Sequence, residues 1–395
     1  MVIVRDADAL CFLTIIIPIH FCESGFFIER MECMPERYVE GIRPLDKAAM
    51  EAAMARLDNL VKPPGSLGEL ETIAARLAGI SGQMHYDTTK RCVIIMAADN
   101  GVVEEGVSAA PQGVTYAQTM NFTKGITGIN ALARQFATDL IIVDVGINGG
   151  INHPMISDKK VRPGTHNIAK QAAMTRNEAE QAVLTGIETA IKAANDGYKL
   201  IGAGEMGIGN TTTSAAVLCA LTGIAPEQAA GKGAGLSDDA YRRKIDVIHT
   251  ALTRNAPNPS DPLDVLAKVG GYDIAAMAGV YIGGAYMRVP VVIDGFISIV
   301  AALAAARLNP LAKEYMFASH ASFEQGYKHA ARALGVKPCL HLNMRLGEGS
   351  GCPLMFAVMD AACAIIRDMG TFEDGNIGEE YLEEMKDADF YIGRM

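Results

Sequence analysis

The 395 residues include 40 glycines, half are apolar and 20% are charged, a profile that carries a large core and excludes disorder, collagen and coiled coil. Thirty-five Lys and Arg against 45 Asp and Glu give a net charge of -10, so the chain offers no general basic surface for nucleic acid. The eight cysteines contain no C-x-x-C pair, which argues against a zinc site or a disulfide framework and fits a reducing, cytoplasmic setting.

In chain order, residues 1–37 read as an extension outside the fold, with Met31 or Met34 as an alternative start. Its apolar run Ala9–Ile19 is broken by Thr14 and Pro18 and is shorter than the ~20 residues of a membrane span. Residues 38–90 are helical: Met50, Ala53, Met54, Leu57 and Leu60 mark one face of a helix that stops at Pro63-Pro64. Ser66 and Glu69 then form a capping-box start for a second helix bearing Leu70, Ile73, Ala74 and Leu77.

From 91 to 351 the texture changes to short apolar runs ending in Asp or Gly: Cys92–Ala97, Leu140–Val145, Lys199–Ala203, Pro290–Ile293 and Leu340–Met344. These predict strands buried on both faces, and Ala-rich helical stretches such as Thr211–Leu221 and Ser298–Leu308 separate them. The alternation implies an α/β fold, a mostly parallel Rossmann-like sheet flanked by helices. A smaller helical domain is expected from both chain ends, its C-terminal share within 352–395, where Pro353–Met369 forms a helix before an acidic tail. Ligands of such sheets bind beyond the carboxyl ends of the strands, so the loops there are where chemistry is expected.

Three loops stand out. Gly202–Thr212 contains G-x-G-x-x-G, yet no second strand ending in an acid follows about 20 residues on, as a dinucleotide site requires. What survives is a close backbone approach and a helix N-terminus suited to phosphate or carboxylate, with Glu205, Gly207, Gly209 and Asn210 in place. In Arg345–Gly351, three glycines surround Glu348 and free the backbone to wrap a ligand. A carboxylate shielded there from water, where burial favours the protonated form, is a candidate general base, and a solvated surface turn is the plain alternative. The long loop Asp99–Gln112 follows the first core strand, and Asp294-Gly295 and Ser319–Ser322 lie at other strand ends. By pattern alone His320 is a hydrogen-bonded structural residue and Lys244 a helix-surface lysine.

Taken together, Lys62–Glu71, Ala98–Val102, Gly204–Thr212, Lys268–Asp273, Asp294–Phe296 and Arg345–Gly351 resemble, in the same order, the nicotinate-nucleotide:dimethylbenzimidazole phosphoribosyltransferase family, which makes the lower-ligand nucleotide of cobalamin. The resemblance runs from Tyr38 to Asn376. It implies Glu348 as proton acceptor, Glu205 as a second carboxylate near the reacting centre, and Gln118 beside the benzimidazole. It further implies Gly207, Lys244 and Ser322 at the mononucleotide phosphate, with Arg345, Gly347, Gly209, Asn210 and Asp294 as further substrate contacts, and a homodimer. Where the family carries a serine just before the equivalent of Pro111, this chain has Ala110, which takes away a hydroxyl contact and leaves the preferred base open.

The implied chemistry suits these residue types. Nicotinate mononucleotide already carries a pyridinium, so its ring leaves the ribose C1 without a general acid, and only the incoming imidazole needs a proton acceptor. No cofactor or metal is called for, and none of the eight histidines forms a metal-ligand pair. The absence of Trp and the 20 Met fit a base slot lined by methionine and leucine, with Leu346 as one wall. Two rivals remain at this stage: a nicotinamide-cofactor dehydrogenase using Gly202, Gly204 and Gly207, and a non-catalytic nucleotide-binding sensor on the same fold.

Overall fold

The computed structural model describes residues 35–233 and 235–378. Of the expected extension 1–37, residues 1–34 lie outside the described residues, while 35–37 open a helix, Pro35–Glu40, that packs against the helices Arg176–Asn195 and Tyr272–Tyr286; the acidic tail beyond residue 378 also lies outside the described residues.

Six parallel strands form one sheet: β1 (Arg91–Ala98), β2 (Asp139–Gly146), β3 (Ile156–Asp158), β4 (Leu200–Met206), β5 (Val291–Ile293) and β6 (Met316–Ala318). Their order is β3-β2-β1-β4-β5-β6. β1 is buried from Cys92 to Ala98 and β4 along its whole length, because helices cover both faces, and this is why these segments read as unbroken apolar runs. The chain enters at the centre and winds outward in both directions, so the connections leaving β1 and β4 diverge and open a crevice above their carboxyl ends.

Two elements differ from the sequence reading. Leu340–Met344 is not a strand: Leu340 makes one isolated bridge to His320, and Asn343 then turns left-handed (φ 53°), which ends any extended run. The capping box is also absent. The chain turns through Pro63–Gly68, Gly68 takes the N-cap position at φ 54° without a side-chain cap, and the helix begins at Glu69, leaving Ser66 a turn too early. The three-residue strands β3 and β6 were not anticipated.

Helices from both ends of the described chain pack together: Lys47–Asp58, Glu69–Ser81 and Cys352–Asp368. Lys62, 7% exposed, donates to Glu71, 1% exposed, at 2.8 Å and ties the first connection down. The final described residues close over it, since Val61 N–H donates to the Gly370 carbonyl and Leu60 bridges Thr371. The helix Cys352–Asp368 also lies against β4 and β5, which fixes the loop that precedes it over the strand ends. Among the described residues no helix is long and apolar enough to cross a membrane.

Candidate active site

The crevice is a cavity of about 300 Å³ walled by the loops that follow β1, β4, β5 and β6 and by Arg345–Glu348. Glu348 is presented by three consecutive left-handed residues, Gly347 (φ 86°), Glu348 (φ 62°) and Gly349 (φ 78°). A non-glycine residue there is strained, and the turn persists because its surroundings dictate it. A Cβ on Gly347 would meet Glu205 Oε1 at 2.5 Å, and one on Gly349 would meet Val93 at 2.5 Å. The loop thus lies flat on the strand ends and turns Glu348 inward, to 5% exposure.

The Glu348 carboxylate is fixed from two sides. Oε1 accepts from Gln118 Nε2 at 2.6 Å, and Oε2 accepts from Ile129 N–H at 3.3 Å. Ile129 lies in the first turn of the helix Gly128–Gln135, where free N–H groups and the helix dipole favour negative charge. Gln118 comes from the helix Val114–Lys124, and Asn121 Nδ2 donates to its Oε1 at 3.2 Å, orienting the amide with its NH₂ toward Glu348.

Behind Glu348 lie three more buried carboxyls. Glu205, the penultimate residue of β4, is pushed up to about 8, first by burial and then by the charges of Asp273 and Asp294. Asn210 Nδ2 donates to Glu205 Oε2 and to Asp273 Oδ2, holding the two side by side. Burial pushes Asp273 up to about 6 even though Asn210, Asn100 and its own helix N-terminus donate to it. Gly207 is required by this packing, since a Cβ there would lie 2.3 Å from Asp273 Oδ2.

Asp294, expected to contact substrate, lines the cavity and also binds the protein's own backbone. Its Oδ2 accepts from Gly349 N–H at 3.0 Å and its Oδ1 from Gly351 N–H at 2.6 Å, so one buried carboxylate spans the loop that carries Glu348. Burial nevertheless pushes Asp294 up to about 7.

At the far end, Gly209 (φ 92°) caps the helix Asn210–Thr222 without a side chain, leaving its N-terminus turned to the cavity beside Thr211, Gly233 and Ser322. Lys244 is not the surface lysine its pattern suggested. It is fully buried, donates to Thr211 Oγ1 at 2.8 Å and to the Gly231 carbonyl at 3.0 Å, and stands directly behind the Thr211 wall. Burial pushes it down to about 8, against the pull of Glu324. Arg345 and Leu346 are exposed at the mouth, with the Arg345 guanidinium 5.4 Å from the centre of the Phe323 ring.

The expected residues therefore converge: Asp294 lines the cavity and also clamps a loop, and Lys244 stands behind the wall. The apolar wall is Val114, Ile208, Phe296, Ile297 and Leu346, with Met206 the single methionine, so the methionine-lined slot is not what the chain builds. Ala110 lines the cavity, and its N–H donates to Ser108 Oγ at 3.3 Å, so a hydroxyl stands two residues away from the missing one. Asp273 and Glu324 were missed. Asp273 stood inside a quoted motif, but only the sheet topology brings it to Glu205. Among the described residues no group of His, Cys, Asp or Glu has a metal-binding arrangement.

Such a site, rich in buried carboxyls and closed at one end by a helix N-terminus with a buried lysine behind it, on a doubly wound sheet, suits a ligand that carries both a phosphate and a positive charge. The model of a phosphoribosyltransferase family matches residues 42–377. A nicotinate-nucleotide–dimethylbenzimidazole phosphoribosyltransferase of Clostridium perfringens is 52% identical over 359 residues, covering 91% of this chain and 99% of its own. One from Ruminiclostridium cellulolyticum is 51% identical, covering 88% and 98%. The crystal structure of the Thermus thermophilus enzyme of that name superposes with a TM-score of 0.80 at 41% identity, covering 85% of this chain and 99% of that one. The chain belongs to the nicotinate-nucleotide–dimethylbenzimidazole phosphoribosyltransferase family.

Proposed function

We propose that the protein transfers the phosphoribosyl group of nicotinate mononucleotide to 5,6-dimethylbenzimidazole, giving α-ribazole 5'-phosphate and nicotinate with inversion at the ribose C1. The observation that carries this reading is the fixed Glu348 carboxylate, buried at one end of a cavity whose other end offers a helix N-terminus with a buried lysine behind its wall. The phosphate binds at Gly207, Gly209, Thr211 and Ser322 with Lys244 behind. The base enters between Leu346 and Gln118.

As one imidazole nitrogen attacks C1, the ring becomes cationic and its other N–H acidic. Glu348 accepts that proton, an assistance worth about 10² to 10⁴ in rate. The pyridinium ring leaves as neutral nitrogen, and Glu205 stabilises the positive charge that builds on the sugar carbon. Before substrate arrives, Glu205 is largely protonated at neutral pH. A bound cation favours its ionised form, so the charge is supplied when it is needed.

The dehydrogenase reading loses its support in the chain's path: after the helix Asn210–Thr222 the next strand is β5 at Val291, so no compact βαβ unit places an acid at a dinucleotide ribose. We further propose that the enzyme is a cytoplasmic homodimer. The test is to supply mononucleotide and base and to resolve nicotinate and the α-nucleotide by mass; no release of nicotinate refutes the transferase reading. Competition among dimethylbenzimidazole, other benzimidazoles, adenine and phenolics then identifies the preferred base.

A further inference from the structure

His320 follows β6 in the cavity wall and is 2% exposed. Its ring is held by one hydrogen bond, between Nδ1 and Ser319 Oγ at 3.0 Å. Ser319 Oγ also reaches the Asp294 carbonyl at 3.1 Å, where it donates its one hydroxyl proton, and Asp294 Oδ1 lies 4.0 Å from Nδ1; both neighbours favour the imidazole proton on Nδ1. Burial pushes His320 down to about 4, which keeps the ring neutral at physiological pH. Nε2 is then a bare acceptor. It lies on the side of Gly295 and Ser322, both cavity wall: a Cβ on Gly295 would sit 3.8 Å from Nε2 and 3.6 Å from Ser322 Oγ. No described residue donates a hydrogen bond to it.

An acceptor that faces a binding cavity is met by water when the cavity is empty, and a ligand that displaces the water without supplying a donor forfeits binding free energy. Granting the substrate proposed above, the choice is narrow. At pH 8 the phosphate and the nicotinate carboxylate are deprotonated and the pyridinium nitrogen bears no hydrogen, so the mononucleotide's only O–H or N–H donors are its two ribose hydroxyls. The incoming base has one N–H, and that goes to Glu348. We infer that His320 is a substrate contact, its Nε2 accepting a hydrogen bond from a ribose hydroxyl of the mononucleotide, with Ser319 and the Asp294 carbonyl setting the tautomer. Asp294 thereby holds the loop of the proton acceptor with its carboxylate and, through Ser319, orients the histidine at the sugar with its carbonyl.

The test compares nicotinate mononucleotide with its 2'-deoxy and 3'-deoxy analogues, measuring binding by calorimetry at pH 8 and nicotinate release in parallel. The wild-type protein is expected to bind one deoxy analogue about five- to a hundred-fold more weakly than the parent. His320→Asn reaches Ser319 but not the cavity and should lose that preference, while His320→Gln, whose amide oxygen reaches the place of Nε2, should keep part of it. If His320→Asn does not fold, His320→Phe fills the same volume without an acceptor and serves instead. A merely structural histidine would weaken all three ligands alike and leave the ratios unchanged, which overturns the inference, as does a wild-type protein indifferent to both deletions. Binding selectivity without nicotinate release sinks the transferase reading alone; release with unchanged ratios in the variants sinks this inference alone; no binding of the parent mononucleotide overturns both.

Discussion

Replacing Asp294 by Asn tests whether Glu348 is held in place by its loop rather than by chance of rotamer. Asn keeps one carbonyl oxygen but sets an NH₂ donor against the N–H of either Gly349 or Gly351, where the carboxylate accepts at 3.0 and 2.6 Å. Loss of one charge-assisted bond costs about 1.5 to 3 kcal/mol, and the donor facing a donor pushes the loop off the strand ends. A displacement of about 1 Å at a reacting group costs about a hundred-fold in rate. Asp294→Asn is therefore expected to lower kcat about a hundred-fold, with the mononucleotide KM nearly unchanged, assayed at pH 8.5, above the value of about 7 to which burial pushes this carboxyl. Because the effect passes through Glu348, adding Asp294→Asn to Glu348→Gln should cost little more. A variant with wild-type kcat refutes the clamp, and so does a double variant whose losses multiply.

Two further predictions follow from the buried charges. Mononucleotide affinity should pass through a maximum near pH 8, rising as Glu205 ionises to meet the pyridinium and falling as Lys244 loses the proton that the phosphate requires. Calorimetry across pH should show Glu205→Gln abolishing the rise assigned to Glu205 and Lys244→Met abolishing the alkaline limb; limbs that persist unchanged in these variants would contradict the assignments. Stability gives an independent reading of Glu205. Its folded value of about 8 lies above its ordinary 4.5, so between these values the folded state holds more protons, and its contribution to stability falls as pH rises from about 5 to 8. Glu205→Gln should flatten that slope in thermal melts and gain relative stability at pH 8; an unchanged slope would mean that Glu205 is ionised throughout.

Which features were legible in the sequence follows from how local their causes are. β1, β2, β4 and β5 announced themselves because burial on both faces makes a continuous apolar run. β3 is exposed at two of its three residues and β6 follows directly on a 3-10 turn, Pro310–Tyr315, so neither stands in a separate apolar run as β5 does, and Leu340–Met344 carried the apolar signal without sheet neighbours to pair with. Glu348 stood out because a left-handed turn of three residues demands glycines around it. Asp273 and the clamp role of Asp294 depend on partners 63 and 55 residues away, joined only when the strands align. The burial of Lys244, which contacts Thr211 33 residues before it, is likewise invisible to helical periodicity.

The most direct test of the central claim is turnover by Glu348→Gln at saturating mononucleotide and base. Gln keeps the shape of the side chain but cannot take a proton from the incoming ring. The expected result is a kcat lowered by about 10² or more, with mononucleotide binding within about two-fold of wild type. Turnover equal to that of the unaltered protein would show that the base loses its proton elsewhere, and the mechanism built on this loop would be wrong.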